Sequence, residues 1–296
     1  MKKSLVVVRA GNKSLHHRWQ EIPYEDRKFD LLISYFSDEA FAAFEPEPGV
    51  EAILVKGGKW DGLYKTLTDR DLDQYDYYWL PDDDLDISAT DVNALFDAMQ
   101  VHGLRIAQPS LTPDSYFSHF VFSQCPGFVL RYTNYIEIMA PCLHKDILKI
   151  ALPLFQGTMS GYGLDYIWCR WAEAGAFRTA ILDEIAMHHT RPIGKNLKAA
   201  MAESNNLSSE EEEAVLKQMF DLSRRTVPVV FAAILQGGQP ISGRLQLGWH
   251  MCRAWMSVLS KFRSTSEARS GIFKIARRQL IKPLDMTTIS LKQEST

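Results

Sequence analysis

Short apolar runs alternate with helical stretches over the first two hundred residues, a pattern typical of a layered α/β sheet with crossover connections. Apolar runs predict strands at residues 4–9, 29–35, 52–56, 75–80, 105–108, 128–132 and 180–185. Helical periodicity predicts helices at residues 65–71, 90–102 and 164–174. Gly163 and Gly175 flank the last helix and suit a preceding loop and a C-terminal cap.

The composition of the chain changes after about residue 195. Ser208 followed by Glu210 and Glu211 indicates an N-cap and an acidic first turn, which predicts a helix through Leu222. The glycine-rich run at 237–240 is typical of a linker. We therefore expect three parts, namely a catalytic domain at 1–195, a helical extension at 196–238 and a basic, aromatic, helical tail at 239–296.

The composition is that of a globular protein with a substantial core, formed as one large domain or as a domain with an appendage. The 296 residues are 46% hydrophobic and 23% charged. No apolar run reaches the roughly 18 residues that cross a bilayer, and the run at 5–8 is too short for a signal peptide. Four widely spaced cysteines, without a Cys-x-x-Cys pair, indicate reduced thiols. These features predict a cytoplasmic protein.

Positive charge is concentrated near the C-terminus. Residues 240–282 hold nine Lys and Arg residues and one Glu, a net charge of +8, which leaves −11 on the rest of a chain whose total is −3. Together with Trp249, Trp255 and Phe262, this charge predicts peripheral binding to the anionic inner face of a membrane. The alternative is a final helix that packs on the core and exposes its basic face. Nucleic acid is disfavoured, because no nucleic-acid-binding motif accompanies the charge.

Three consecutive aspartates follow the aromatic strand predicted at residues 75–80. Pro81 ends that strand, so Asp82, Asp83 and Asp84 are expected at the carboxyl edge of the sheet, where open α/β sheets bind ligands. Adjacent carboxylates repel one another unless a cation or open water surrounds them. The cluster therefore predicts a metal site. The alternative is an acidic turn that caps the next helix.

Five sequence blocks carry a resemblance to a known family. They are Asp82-Asp83-Asp84-Leu85, Gln108-Pro109-Ser110-Leu111, Glu137-Ile138-Met139-Ala140-Pro141, Gly161-Tyr162-Gly163-Leu164-Asp165, and His188 with Pro192 and Gly194. Together they resemble the domain of unknown function 707 family, which is itself similar to nucleotide-sugar-dependent glycosyltransferases of the GT-A fold. The resemblance covers residues 75–194 and is weaker before them. It implies a Rossmann-like mixed α/β sheet flanked by helices, with a helical C-terminal extension.

The resemblance implies an inverting transferase that moves a sugar from a nucleotide-sugar donor to a hydroxyl of a glycan or lipid-linked acceptor. A diphosphate leaves in this reaction, so a divalent cation, Mn²⁺ or Mg²⁺, would stabilise its growing charge. In the Asp-x-Asp pattern, Asp82 would contact the ribose or the metal, Asp83 would be the variable position, and Asp84 would bind the metal directly. His188 would complete the metal shell, and its imidazole favours Mn²⁺. Adjacent His189 has less support.

Asp165 is the candidate catalytic base. The glycines before it allow the backbone to bend around a sugar, and a helix N-terminus is expected to hold the acid ionised. The alternative is a plain N-cap. Glu137, at a strand edge, is a second candidate base.

Three basic residues near the N-terminus are candidate donor contacts. Arg9 follows an apolar strand and could meet a phosphate or the nucleotide base. Lys56 and Lys59 flank two glycines before a helix, a pattern that favours phosphate binding without being a Walker motif. The alternative for this segment, which continues into Trp60, is an exposed turn.

Two other classes of function remain open from the sequence. A metal-dependent phosphoester hydrolase would usually need more His and Asp ligands than the sequence plainly offers. A non-catalytic sugar- or nucleotide-binding relative would tolerate loss of Asp84 or Asp165, and both are present.

Overall fold

The computed structural model describes residues 2–171, 173–175, 177–192, 207–282, 284 and 286–290, so Gly194 lies outside the described residues. Eleven described strands are joined through one mixed sheet, in the spatial order β11-β10-β7-β9-β6-β8-β4-β1-β2-β3, with β5 paired to the end of β9. The strands are β1 (Ser4–Ala10), β2 (Phe29–Tyr35), β3 (Val50–Leu54), β4 (Tyr77–Trp79), β5 (Leu85–Asp86), β6 (Ile106–Leu111), β7 (Phe128–Thr133), β8 (Cys142–His144), β9 (Thr179–His189), β10 (Val230–Leu235) and β11 (Pro240–Ser242).

The sheet changes from parallel to antiparallel pairing near its middle. Strands β3, β2, β1 and β4 are parallel neighbours, whereas β8 lies antiparallel between β4 and β6. Strand β9 runs parallel to β6 and antiparallel to β7. Every residue of β1 is buried, as expected for a strand covered on both faces. The mixed α/β sheet flanked by helices is therefore confirmed.

Eight α-helices lie within the described residues, and they connect and cover the strands. They are α1 (Asp38–Ala42), α2 (Lys59–Leu67), α3 (Ala89–Val101), α4 (Lys145–Ala151), α5 (Leu164–Ile167), α6 (Ser209–Met219), α7 (Arg244–Ser257) and α8 (Thr265–Ile281). Local sequence explains several of the starts. Ser88 caps α3 through Asp91 N, and Ser208 forms a capping box with Glu211 at α6.

Two helices differ from the sequence prediction. Helix α2 begins at Lys59 rather than residue 65, directly after the glycines, so the predicted phosphate loop is the start of this helix. Helix α5 has four residues and continues as a 3-10 turn at Trp168–Arg170, instead of running to residue 174. In that turn, the Trp168 ring N–H donates to Ile136 O at 2.9 Å, which ties the helix end to the chain after β7.

The expected linker at 237–240 is wrong. Gly237 and Gly238, at φ of 92° and 84°, form the turn between β10 and β11, and Gly238 N donates to Leu235 O. Only a residue that tolerates positive φ suits these positions. Because β10 pairs with β7, the segment expected to be a helical extension adds a strand to the sheet. The division of the chain at 195 and 238 stays a prediction.

Helices α7 and α8 form the C-terminal layer. Trp255 and Phe262 are buried and both contact Phe120, so these two aromatic residues are part of the core. In contrast, Trp249 is 68% exposed and Phe273 is 71% exposed. None of the described helices is long and apolar enough to span a bilayer.

Candidate active site

A cavity of about 470 Å³ opens where the chain segments that follow β4, β7 and β9 meet the start of α2 and the loop before α5. Its polar wall carries acidic, basic and aromatic side chains, a mixture suited to a charged, hydroxylated ligand. The residues that line the cavity include Lys59, Trp60, Asp82, Asp84, Ser118, His119, Tyr135, Glu137, Tyr162, Asp165, His189, Arg191 and Arg225.

Lys59 is the basic residue that anchors one part of the wall. Its Nζ lies 2.6 Å from Asp82 Oδ1 and donates to Ile138 O and Met139 O at 2.8 and 2.9 Å. Burial raises the pKa of Asp82, with Asp84 adding to the rise and Lys59 opposing it. The open part of the Asp82 side chain, 37% of its surface, belongs to the cavity wall. Lys59 therefore holds Asp82 and the segment after β7 together.

The three consecutive aspartates have three different sets of partners. Asp83 Oδ2 accepts from Gly11 N at 3.1 Å and its Oδ1 accepts from Arg191 at 3.0 Å, so Asp83 ties two loops together and does not line the cavity. Asp84 Oδ2 lies 3.3 Å from His189 Nε2. Across the described ranges, no group of three or more His, Cys, Asp and Glu residues is arranged to hold a metal ion.

The two histidines at the end of β9 point to opposite sides, as successive residues of a strand do. His188 contacts Asp114 Oδ1 at 3.2 Å and Thr112 Oγ1 at 3.1 Å, outside the cavity. His189 lines the cavity and its Nδ1 lies 3.0 Å from Tyr116 O. Burial alone lowers the pKa of His189, but the hydrogen bond and charge of Asp84 raise it overall. The structure thus brings His189, rather than His188, to Asp84.

Asp84 and His189 fit a divalent cation that is shared with a ligand. An oxygen and a nitrogen 3.3 Å apart can both contact one ion at bond lengths of about 2.0–2.2 Å. Two protein ligands leave most of an octahedral shell for water and phosphate oxygens, as is usual for Mg²⁺. The residues therefore fit a cation bound jointly with a diphosphate better than one held by the protein alone.

Asp165 has one buried carboxylate oxygen without a hydrogen-bond partner among the described residues. Tyr135 OH donates to Asp165 Oδ2 at 2.5 Å and lies 3.2 Å from His119 Nε2. Burial raises the pKa of Asp165 to about 7, although the bond from Tyr135 opposes the rise. Helix α5 is a single turn, so its dipole gives the ionised acid less support than a long helix would. Oδ1 has no hydrogen-bond partner within the described part of the chain.

Glu137 also has a buried carboxyl oxygen that no described residue pairs with. It lies in the segment between β7 and β8, and its backbone N–H donates to Gln108 Oε1 at 2.8 Å. Burial raises the pKa of Glu137 well above its ordinary value, and the charges of Asp165 and Asp82 raise it further. Its Oε2 has no hydrogen-bond partner among the residues described. The raised pKa favours the neutral carboxyl form of Glu137.

The glycine loop before Asp165 is fixed by two contacts. Gly161, at φ of 73°, lies so close to Trp60 that a Cβ atom there would be 2.1 Å from the indole nitrogen. From α6, Glu212 accepts hydrogen bonds from Met159 N at 2.7 Å and Ser160 N at 2.9 Å. Helix α6 therefore holds the loop that positions Asp165.

Two predicted donor contacts lie away from the cavity. Arg9 is buried and donates to Ser34 Oγ, Val55 O and Gly57 O at 2.7–2.9 Å, which stabilises the loop before α2. Lys56 is exposed and pairs with Asp38 at 2.5 Å. The sequence offered no signal for Tyr135, Arg191 or Arg225, since isolated aromatic and basic residues carry no motif.

Comparison with solved structures finds distant similarity to residues 1–349 of TarS from S. aureus. The TarS complex with UDP-GlcNAc has a TM-score of 0.45 and 11% identity, over 94% of this chain and 90% of that one. The complex with UDP has a TM-score of 0.42 and 12% identity, over 100% and 98% of the two chains. No family model and no curated protein matches this chain. The resemblance to the domain of unknown function 707 family stays a prediction.

Proposed function

We propose that this protein transfers a sugar from a nucleoside-diphosphate sugar to a hydroxyl group of an acceptor. The observation that carries the proposal is Asp165. Asp165 lines the cavity, one of its carboxylate oxygens has no hydrogen-bond partner within the described residues, and a pKa of about 7 lets it accept a proton near neutral pH. A base of this kind is needed to activate a hydroxyl, whose own pKa is far higher.

The cations of the same cavity support a diphosphate leaving group. Lys59, Arg191 and Arg225 line it, and positive charge stabilises the negative charge that develops on a departing diphosphate. In this proposal, Asp84 and His189 hold a divalent cation, Mn²⁺ or Mg²⁺, which when bound neutralises further diphosphate charge. Asp82 lies beside Asp84 and would face the ribose or the cation.

The proposed reaction is a single displacement with inversion. The acceptor O–H bond breaks and its proton passes to Asp165 Oδ1. The acceptor oxygen forms a bond to the anomeric carbon as the bond from that carbon to the diphosphate breaks, and the electron pair leaves with the diphosphate. Tyr135 holds the other oxygen of Asp165, so that Oδ1 stays directed at the acceptor.

Donor binding tests the first half of the proposal. Calorimetry with UDP, GDP, ADP and CDP should give binding to at least one nucleotide in the presence of Mn²⁺ and at least tenfold weaker binding in excess chelator. Asp84→Asn should weaken that binding tenfold or more, while the matched control His188→Asn should leave it unchanged. Equal affinity with and without chelator would refute the role of the cation. Failure of every nucleotide to bind would refute the proposal that the donor is a nucleoside-diphosphate sugar.

Turnover tests the second half of the proposal. With a donor identified, release of the nucleotide should depend on an added glycan or lipid-linked acceptor. Asp165→Asn should keep donor affinity within about twofold and lower turnover on the order of a hundredfold. Donor binding without turnover on any acceptor would support the non-catalytic relative, and metal-dependent release of phosphate from simple phosphoesters would support the hydrolase.

We also propose that the protein binds the inner face of an anionic membrane, where a lipid-linked acceptor would be reached. The support is the exposed apolar residues Trp249 and Phe273 on α7 and α8, on a segment with a net charge of +8. Each basic group near an anionic surface contributes about 1 kcal/mol, and buried apolar area adds to it.

Vesicle sedimentation tests the membrane proposal. Truncation is unsuitable because Trp255 and Phe262 belong to the core. The double variant Trp249→Ser, Phe273→Ser should pellet several-fold less with phosphatidylserine vesicles, and 1 M salt should release the wild type. Val101→Ser on α3, at a residue 77% exposed, is the matched control. Equal pelleting of the double variant and the control would make the tail a packing element.

A further inference from the structure

Two buried carboxyl groups contribute unsatisfied oxygens to the same cavity. Glu137 Oε2 and Asp165 Oδ1 have no hydrogen-bond partner within the described ranges, and the two residues are only 4% and 7% exposed. Leaving such a buried polar atom unpaired costs free energy. Both residues line the cavity, so a ligand that pairs with the two oxygens recovers this free energy.

The two carboxyl groups line the same cavity but come from different parts of the chain. Glu137 belongs to the segment after β7, whereas Asp165 lies in the first turn of α5. Burial, and after it the charge of Asp165, raises the pKa of Glu137. Asp82, which belongs to the proposed donor site, lines the same cavity.

Each of the two unpaired carboxyl oxygens can form a hydrogen bond with a hydroxyl group. A pair of neighbouring hydroxyl groups matches this arrangement, because each hydroxyl can both donate and accept. Tyr162, 39% exposed, lines the same cavity and offers an aromatic face to the less polar side of a sugar ring.

We propose that Glu137 and Asp165 form the acceptor subsite and that the acceptor is a sugar with two adjacent hydroxyl groups. The hydroxyl at Asp165 Oδ1 is the nucleophile and loses its proton to that oxygen. The neighbouring hydroxyl binds Glu137 Oε2, which fixes the ring so that one hydroxyl is presented for transfer. This inference rests on the proposed function and adds the chemical class of the acceptor.

Saturation-transfer NMR on the full chain tests the subsite at pH 7. The probes are the methyl glycosides of glucose, galactose and mannose and their monodeoxy analogues, added with and without UDP and Mn²⁺. At least one parent glycoside should bind saturably. Loss of either hydroxyl of one adjacent pair should weaken its binding at least tenfold, because a buried carboxyl oxygen is then left unpaired.

Variants of Glu137 separate hydrogen bonding from packing. Glu137→Gln keeps a hydrogen-bond donor of the same shape and should bind the parent glycoside within about threefold of wild type. Glu137→Met has a similar volume without the donor and should bind it at least tenfold more weakly. Asp114→Asn, an exposed acid outside the cavity, is the matched control and should bind like wild type.

Each result bears on the inference separately from the proposed function. The subsite is refuted if no parent glycoside binds, if the deoxy analogues bind equally, or if Glu137→Met binds like wild type. Nucleotide affinity, measured on the same proteins, should be unaltered by the Glu137 variants. Failure of every nucleotide to bind would refute the proposed function, while the glycoside results would still decide the subsite.

Discussion

Replacing Asp165 with Asn should stabilise the folded protein at neutral and higher pH. Burial raises the pKa of Asp165 to about 7 from an ordinary value of 3.8, so the folded state resists its ionisation. Asn has the same shape, stays neutral at every pH and can still accept the hydrogen bond from Tyr135. A residue held for catalysis at the expense of stability behaves in this way.

The magnitude follows from the two pKa values. Their difference of about 3, at about 1.36 kcal/mol per pKa unit, gives up to about 4 kcal/mol. Below pH 4 the acid is neutral in both folded and unfolded states, so wild type and Asp165→Asn should be equally stable. Between about pH 4 and 7 only the unfolded state ionises, and wild type should lose stability relative to the variant. Above pH 7 the difference should be constant.

A second buried aspartate supplies the opposite expectation and so the control. Asp183 and Arg131 are both 0% exposed and joined by two hydrogen bonds of 2.7 and 2.9 Å. Asp183→Asn would leave the guanidinium buried without a counter-charge, which typically destabilises by about 3–5 kcal/mol. The two substitutions are chemically identical, so the sign of each effect reports the environment.

Urea unfolding followed by tryptophan fluorescence, at intervals from pH 4 to pH 9, measures both effects. The expected result is a free-energy difference between Asp165→Asn and wild type that grows from pH 4 to 7 and then levels. A difference that does not change with pH, or a variant less stable than wild type at pH 8, would refute the reasoning about burial. In that case Asp165 would be held ionised in the first turn of α5.

Three further substitutions test the surroundings of Asp165. Tyr135→Phe removes a hydrogen bond, worth about 1.5 kcal/mol, that favours the ionised form of Asp165. The pKa on the acid side of the kcat profile should therefore rise by about one pH unit, as measured by turnover against pH. Gly161→Ala should lower the urea midpoint and nucleotide turnover together, because its Cβ would collide with Trp60 at positive φ. Glu212→Gln weakens charge-assisted bonds to two backbone N–H groups, and should lower stability by about 1–3 kcal/mol with faster hydrogen exchange at Met159 and Ser160.

The strands of the sheet could be predicted well from the sequence, because their signal is local. Residues 29–35 were predicted exactly as β2, and the other six predicted strands all overlap observed ones. Strand β10 was not predicted, although residues 229–235 form an apolar run, because a short apolar run does not distinguish a strand from a segment of buried helix. Its pairing with β7, about a hundred residues earlier, and with β11 defines it as a strand.

The candidate site was predictable only in part. Sequence identified Asp82, Asp84 and Asp165, which line the cavity, because consecutive acids and glycine-flanked acids are visible as patterns. The sequence favoured His188 over His189 as a metal ligand. Which of two adjacent residues faces the cavity depends on the register of the strand, and the sequence motif does not show that register. Tyr135 could not have been found, because its role is defined by one hydrogen bond to a residue thirty positions away.

The proposed donor and acceptor groups are coupled through the start of α2. Lys59 holds Asp82, and the next residue, Trp60, packs on Phe155 and Trp168 and fills the space beside Gly161. A shift of α2 would therefore move both the basic group proposed to meet the diphosphate and the loop that positions Asp165. Because inversion requires the attacking oxygen, the anomeric carbon and the leaving oxygen to be in line, one rigid element that sets both sides favours this geometry.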